Sequence, residues 1–215
     1  MPRLAFAARG ALAGWLLLGL CAGVGPARAA ESGGELHGRV SLGVANLPLA
    51  AVAPVVVYLE AVGAPDAASA PVKAVARMRQ RDARFGPPFL VVAAGQSVEM
   101  ANDDAIYHNV FSYSRPNDFD LGLYPAGESR TLVLRHPGVV KLYCSIHESM
   151  NATILVTPTR WFDVVDAKGD YALTGIQPGR YRAVVWSERL PVSERAVEIG
   201  AGQQRALDFV IGAPH

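Results

Sequence analysis

The sequence predicts an all-β fold, on three observations. Glycine (21) and proline (15) are plentiful among the 215 residues, so turns are frequent. No long stretch carries the three-to-four-residue spacing of an amphipathic helix. Short runs that alternate apolar and polar residues recur instead from Glu35 to Ile211, and alternation marks a strand with one buried and one wet face.

The first 29 residues are read as a leader rather than as part of the fold. Arg3 and Arg9 precede an apolar run from Ala11 to Val24, and Ala27-Arg28-Ala29 supplies a small-x-small cleavage site. Residues 1–29 are therefore expected to be a signal peptide, and the protein to be periplasmic or secreted. The run is shorter than the roughly 20 apolar residues a bilayer span needs, so no membrane span is expected in the mature chain. Leu18-Gly19-Leu20-Cys21 looks like a lipoprotein site, but Leu20 is large for the position before a modified cysteine. Cleavage removes three arginines (Arg3, Arg9, Arg28) and shifts the formal charge from +1 to −2. Neither balance suggests a nucleic-acid partner.

Cleavage also removes Cys21 and leaves Cys144 as a single cysteine in an oxidising compartment, where thiols usually pair. Metal ligation explains such a residue, because it holds the sulfur as thiolate.

Taken in order, the first strand alternates Leu36, Gly38, Val40 and Leu42 with His37, Arg39 and Ser41, and His37 reads as solvated. Val55, Val57 and Leu59 line one side of the second. Gly63 to Pro71, rich in Ala, Pro and Ser, reads as a linker. Arg77, Arg79 and Arg81 alternate along a strand from Val75 to Arg84. That face is expected to be a charged edge that resists aggregation, or a docking patch for an acidic partner. Phe89 to Val92 and Ser97 to Ala101 flank a turn at Gly95, and Val98 and Met100 point one way. A turn at Asn102-Asp103-Asp104 leads into Tyr107-His108-Asn109-Val110-Phe111. Ser114 to Ala126 reads as a polar surface loop. Thr131 to Arg135 is a strand, followed by a turn at His136-Pro137-Gly138 with His136 exposed. Val139 to Cys144 should point Val140, Leu142 and Cys144 inward, and Ala152 to Thr157 closes the sheet. After Pro158, Tyr171 to Leu173, Tyr181 to Trp186, Val197 to Ile199 and Leu207 to Ile211 alternate again. Asp163, Asp166 and Asp170 do not match a calcium loop and read as turn residues.

The stretch with the most chemistry is Cys144-Ser145-Ile146-His147-Glu148-Ser149-Met150. Together with His108 it offers a thiolate, two imidazoles and a thioether, the donor set that selects copper in an electron-transfer site. Cys-x-x-His-x-x-Met lets one short loop bring three donors to one ion, with His108 arriving from a neighbouring strand. Asn109 is placed to tie that strand to the loop through its side chain, as residues behind metal ligands do. Zinc also takes Cys and two His, but it does not call for the methionine.

Residues 76 to 157 resemble the cupredoxins, particularly the amicyanin and pseudoazurin type. The matching residues are His108-Asn109, Pro137-Gly138, Tyr143-Cys144, His147 and Met150. The chain is more closely similar to cupredoxin-containing proteins labelled methylamine utilization proteins, through Met78, Gln80, Phe85, Pro87, His108 to Ser112 and the Cys-x-Ile-His loop. The resemblance implies a Greek-key β-sandwich over residues 70–157 that holds one type 1 copper. His108, Cys144 and His147 would be equatorial and Met150 axial, with Asn109 bridging to the backbone near Ser145. Glu148 and Ser149 stand where that loop usually has prolines or apolar residues. Gly169 to Leu173 and Pro178 to Tyr181 resemble carboxypeptidase regulatory-like (transthyretin-like) sandwiches, and Gly38-Arg39-Val40 and Val55 to Leu59 fit that domain's first strands. The expected organisation is a discontinuous sandwich, 31–63 plus 158–212, with the cupredoxin inserted.

The function these readings imply is that of an exported one-electron carrier, Cu(I)/Cu(II), serving an unknown redox protein and catalysing no reaction of its own. The alternatives are a periplasmic copper-binding or copper-delivery protein and a non-redox β-sandwich binding module.

Overall fold

Alternating side chains build strands throughout the computed structural model, which describes residues 33–63 and 72–212. The expected signal peptide, and all of the expected linker except Gly63, lie outside the described residues. In chain order the strands are β1 (Gly34–Leu42), β2 (Val55–Ala61), β3 (Ala76–Arg81), β4 (Arg84–Gly86), β5 (Phe89–Ala93), β6 (Ser97–Asn102), β7 (His108–Ser112), β8 (Phe119–Tyr124) and β9 (Ser129–Val133). They continue with β10 (Gly138–Tyr143), β11 (Asn151–Thr157), β12 (Phe162–Val164), β13 (Asp170–Ile176), β14 (Gly179–Ser187), β15 (Leu190–Ile199), β16 (Gln204–Ala206) and β17 (Phe209–Ile211). A 3-10 turn, Leu49–Val52, precedes β2. The protein is all-β, as the sequence predicts. No helix among the described residues is long and apolar enough to cross a membrane.

The strands form four sheets. One has the order β13-β1-β16 with β17 also on β1, and the second β12-β2-β14-β15. The third has the order β5-β11-β10-β7-β8, and the fourth β4-β3-β6-β9. Three apolar layers hold the four sheets together, because strands with two apolar faces can be covered on both sides. Leu36 and Val40 of β1 and Tyr171 and Leu173 of β13 meet Val55, Val57 and Leu59 of β2 and Ala183 and Val185 of β14 in the first. Met78, Val98 and Met100 meet Val110, Val140, Leu142 and Ile154 in the second. The third joins the two pairs: Val56 and Trp186 pack against Val91 and Leu155. There the Phe89 and Trp186 rings stack at 5.6 Å and 7°.

Strands β1 and β2 pair with β12, β13, β14, β16 and β17, all later than Pro158. Gly38 permits this on the β1 side: a Cβ there would lie 2.0 Å from the Leu207 carbonyl oxygen, so any side chain would displace the backbone.

Three readings of the sequence need correction. The arginine strand is not an edge: β3 lies between β4 and β6. Met78 and Gln80 fill its inner face, while Arg77 pairs with Glu99 at 3.1 Å and Arg79 with Asp103 at 3.0 Å, so the outer face is charge-compensated. The stretch Ser114 to Ala126 is not all loop, for β8 occupies half of it and pairs with β7. Its Pro, Asn and Asp residues obscured the alternation of Phe119 and Leu121, which pack on the core from the sheet's edge. Of Asp163, Asp166 and Asp170, all read as turn residues, only Asp166 lies in the β12–β13 turn, where its carboxylate accepts the Lys168 and Asp170 N–H groups, both at 2.8 Å; Asp163 lies within β12 and Asp170 opens β13.

Candidate metal centre

The seven residues from Cys144 to Met150 are the connection of the β10–β11 hairpin, whose last pair is Tyr143 with Asn151. Cys144 and Met150 therefore flank one rigid strand pair. Both are buried, at 5% and 1% exposure, and both belong to the core between the third and fourth sheets. The loop is closed by the Met150 N–H, which donates to the His147 carbonyl at 2.9 Å.

The neighbouring strand β7 supplies His108. Tyr143 faces Phe111 in antiparallel register, and stepping along that register sets Asn109 opposite Ser145. The Asn109 side-chain oxygen accepts the Ser145 N–H at 2.8 Å and the Ser145 hydroxyl at 3.0 Å. The Asn109 side chain is buried although Ser145 is exposed, and the two bonds hold the loop against β7.

His108, Cys144 and His147 come together as one group, with donor atoms all within 4.8 Å of one another. His108 is fully buried, and its Nδ1 lies 3.8 Å from Cys144 Sγ. The two imidazoles are 4.9 Å apart at 57°. His147 is half-buried, and its Nδ1 is shut off from solvent without a hydrogen-bond partner. A buried polar atom of that kind is destabilising unless something satisfies it, so the orphaned nitrogen fits a metal. Burial pushes the Cys144 thiol up, but the Asn109, Ile146 and His147 backbone N–H groups and the His108 side chain outweigh it and bring the thiol down to about 7. The site thus favours the thiolate, the form that binds metal. Among the described residues Cys144 is a free cysteine.

His37 and His136, read as solvated from the sequence, are exposed. The residue missed by sequence reasoning is Asp104, taken there for a turn residue. Its Oδ2 lies 2.9 Å from His108 Nε2. It also accepts the Ala83 N–H at 2.8 Å and the Ala105 N–H at 2.9 Å. The Ala83 bond, then His108, then the Ala105 bond hold its carboxyl down at about 2, against a smaller upward push from burial. The only signal in the sequence was a carboxylate four residues before a candidate ligand. A second site residue hidden from the sequence is Asn102, whose amide donates to the Ile106 and Tyr124 carbonyls at 2.9 and 3.0 Å and holds the turn before β7.

No family model and no curated protein matches the chain. Among solved structures it is similar to a purple cupredoxin from Nitrosopumilus maritimus, with 23% identity, covering 38% of this chain and 99% of that one, at a TM-score of 0.35. It is similar to a copper-containing nitrite reductase from Thermus scotoductus SA-01, with 25% identity, over 51% of this chain but only 26% of that one, at a TM-score of 0.38. A mutant of amicyanin in the Cu(I) form matches at 17% identity, over 41% of this chain and 88% of that one, with a TM-score of 0.37.

Proposed function

We propose that the protein is an exported type 1 copper protein that carries one electron at a time. The observation behind this reading is the buried group of two imidazole nitrogens and one thiolate sulfur within 4.8 Å, one of the nitrogens lacking any other partner. His108, Cys144 and His147 would hold the metal, with Met150 as a fourth, weaker sulfur donor. Soft sulfur with imidazole selects copper over the hard cations that carboxylate and carbonyl oxygens prefer. Copper bound there would alternate between Cu(I) and Cu(II), supplying the one-electron chemistry.

The chain's own contribution is to hold the donors still. Cys144 and Met150 sit at the ends of paired strands, and Asn109 pins the loop between them to β7. Donors that do not move between oxidation states keep the reorganisation on electron transfer small. His147 is less buried than His108 or Cys144, so in this reading it is the side from which a redox protein partner takes or gives the electron. Four side-chain donors leave no open position for a substrate, so the protein is not an enzyme in this proposal.

The test is to load the metal-free mature protein with Cu(II) and record its visible and EPR spectra. An intense thiolate-to-copper band that bleaches on reduction and returns on oxidation, with copper retained against a mild chelator, is the expected result. A copper that the chelator strips at once would replace the carrier by a delivery protein, and a protein that takes up no copper would defeat both.

A further inference from the structure

Asp104 lies outside the donor set yet is bound directly to it. A neutral imidazole carries one proton and offers one lone pair, on opposite nitrogens, whereas an ionised carboxylate only accepts. The 2.9 Å contact between Asp104 Oδ2 and His108 Nε2 is therefore satisfied when Nε2 holds the proton. Nδ1, beside Cys144 Sγ, is then left with its lone pair free.

The carboxylate is itself held on several sides. Ala83 N–H donates to Oδ2 and Ala105 N–H to Oδ1, while the Asp104 N–H donates to Asn102 Oδ1 at 3.1 Å. The Ala83 contact comes from the tight β3–β4 turn, where Asp82 and Ala83 both take positive φ, 53° and 51°. Residues with side chains avoid that conformation, yet here two successive ones adopt it, in the turn that offers its N–H to Asp104.

Building on the copper reading above, we propose that Asp104 is a positioning residue of the metal centre: it fixes His108 as the Nε2–H tautomer and sets one negative charge behind it, favouring Cu(II) over Cu(I). A ligating histidine whose second nitrogen donates to a carboxylate is a stronger and better-oriented donor. The charge lies on the far side of the ring from the thiolate, where it opposes the loss of positive charge on reduction.

The first experiment needs no variant. Nitrogen-15 NMR of the metal-free wild-type protein should find His108 as the Nε2–H tautomer, with a slowly exchanging ring N–H. The Nδ1–H tautomer would overturn the proposal. The second compares Asp104→Asn, which keeps an acceptor oxygen but loses the charge, with Asp104→Ala, which loses both. In Asp104→Asn the ratio of Cu(II) to Cu(I) affinity should fall about tenfold, read as a rise in reduction potential of about 59 mV. In Asp104→Ala the affinity for Cu(II) should also fall by roughly 10- to 100-fold. A folded Asp104→Asn with the wild-type potential overturns the charge effect. If neither variant folds, the wild-type tautomer decides. A wild-type protein that takes up no copper removes the parent reading together with this one, and is recognised by its missing absorption band rather than by any difference between variants.

Discussion

The two sandwiches use the same alternation of strands to bury apolar side chains, but they bury very different polar groups. Between the third and fourth sheets, and at the loops above them, lie His108, Asn109, Asn102 and Gln80, all under 9% exposed. Between the first and second sheets there is no buried amide or imidazole among the described residues. The buried polar groups on that side include the hydroxyls of Thr159 and Ser187, which donate to the Leu59 carbonyl at 2.6 Å and the Val52 carbonyl at 2.7 Å, and those of Tyr171 and Tyr181, which donate to the Leu207 and Gln177 carbonyls. A hydroxyl satisfied by backbone closes a packing problem. An imidazole with an unpartnered nitrogen creates one that a ligand resolves. The first sandwich is built for packing and the second for chemistry.

Substitutions that separate packing from chemistry test this contrast. The largest effect is expected from Cys144→Ser, which should abolish the thiolate-to-copper band while the metal-free protein keeps its β-sheet circular dichroism. A coloured site surviving that change would undo the assignment. Trp186→Ala removes the ring stacked on Phe89 between the second and third sheets and should lower unfolding free energy by about 3–5 kcal/mol. Denaturant unfolding followed separately by tryptophan fluorescence and copper absorbance should then split into two transitions if the apolar layer between the sandwiches couples them. In Gly38→Ala the new methyl meets the Leu207 carbonyl oxygen, with an expected loss of roughly 1–3 kcal/mol. The copper spectrum should stay unaltered, which separates the first sandwich from the site.

Asn109→Ala acts in the opposite sense. Two Ser145 donors lose their acceptor, which is expected to destabilise the protein by about 1–3 kcal/mol and to weaken copper affinity by roughly 10- to 100-fold. Equilibrium competition with a chelator measures the second quantity, and an unchanged affinity would mean that the loop is held without this bond. The smallest effect is expected from Arg39→Ala on the outer face of the first sheet. Arg39 and Asp170 pair at 2.8 Å but are largely exposed, and such pairs contribute little. The Arg39 hydrogen bond holds the Asp170 carboxyl below its usual range against a weaker upward push from burial. Its contribution is therefore present above that range and lost as pH falls through the lowered value. The melting difference between Arg39→Ala and wild type should vanish in acid.

Much of the site was legible because its residue types are rare in combination. Cys144, His147 and Met150 lie within seven residues, and the inward face of β10 follows from the alternation of Val140, Leu142 and Cys144. Asn109 was legible because it is a polar side chain next to His108 that can hydrogen-bond the ligand loop, as residues behind metal ligands do. Asp104 was not, since a carboxylate in an Asn-Asp-Asp turn has an ordinary explanation, and only the β3–β4 turn that presents Ala83 shows what holds it. The second apolar face of β2 was also missed. The reading names only the face of Val55, Val57 and Leu59, because one alternating pattern describes one core, whereas this strand serves two and Val56 fills the other.

The sequence by itself determined the all-β class, which residues face inward along most strands, and the donor types offered near Cys144. Those are local properties, set by the twofold period of a strand and by the chemistry of single side chains. The tertiary structure alone decided the register in which β1 and β2 meet strands more than a hundred residues later, that four sheets stack through three apolar layers, and that Asp104 stands behind His108. Those outcomes depend on register and on which surfaces exclude water from one another, and a linear pattern carries neither.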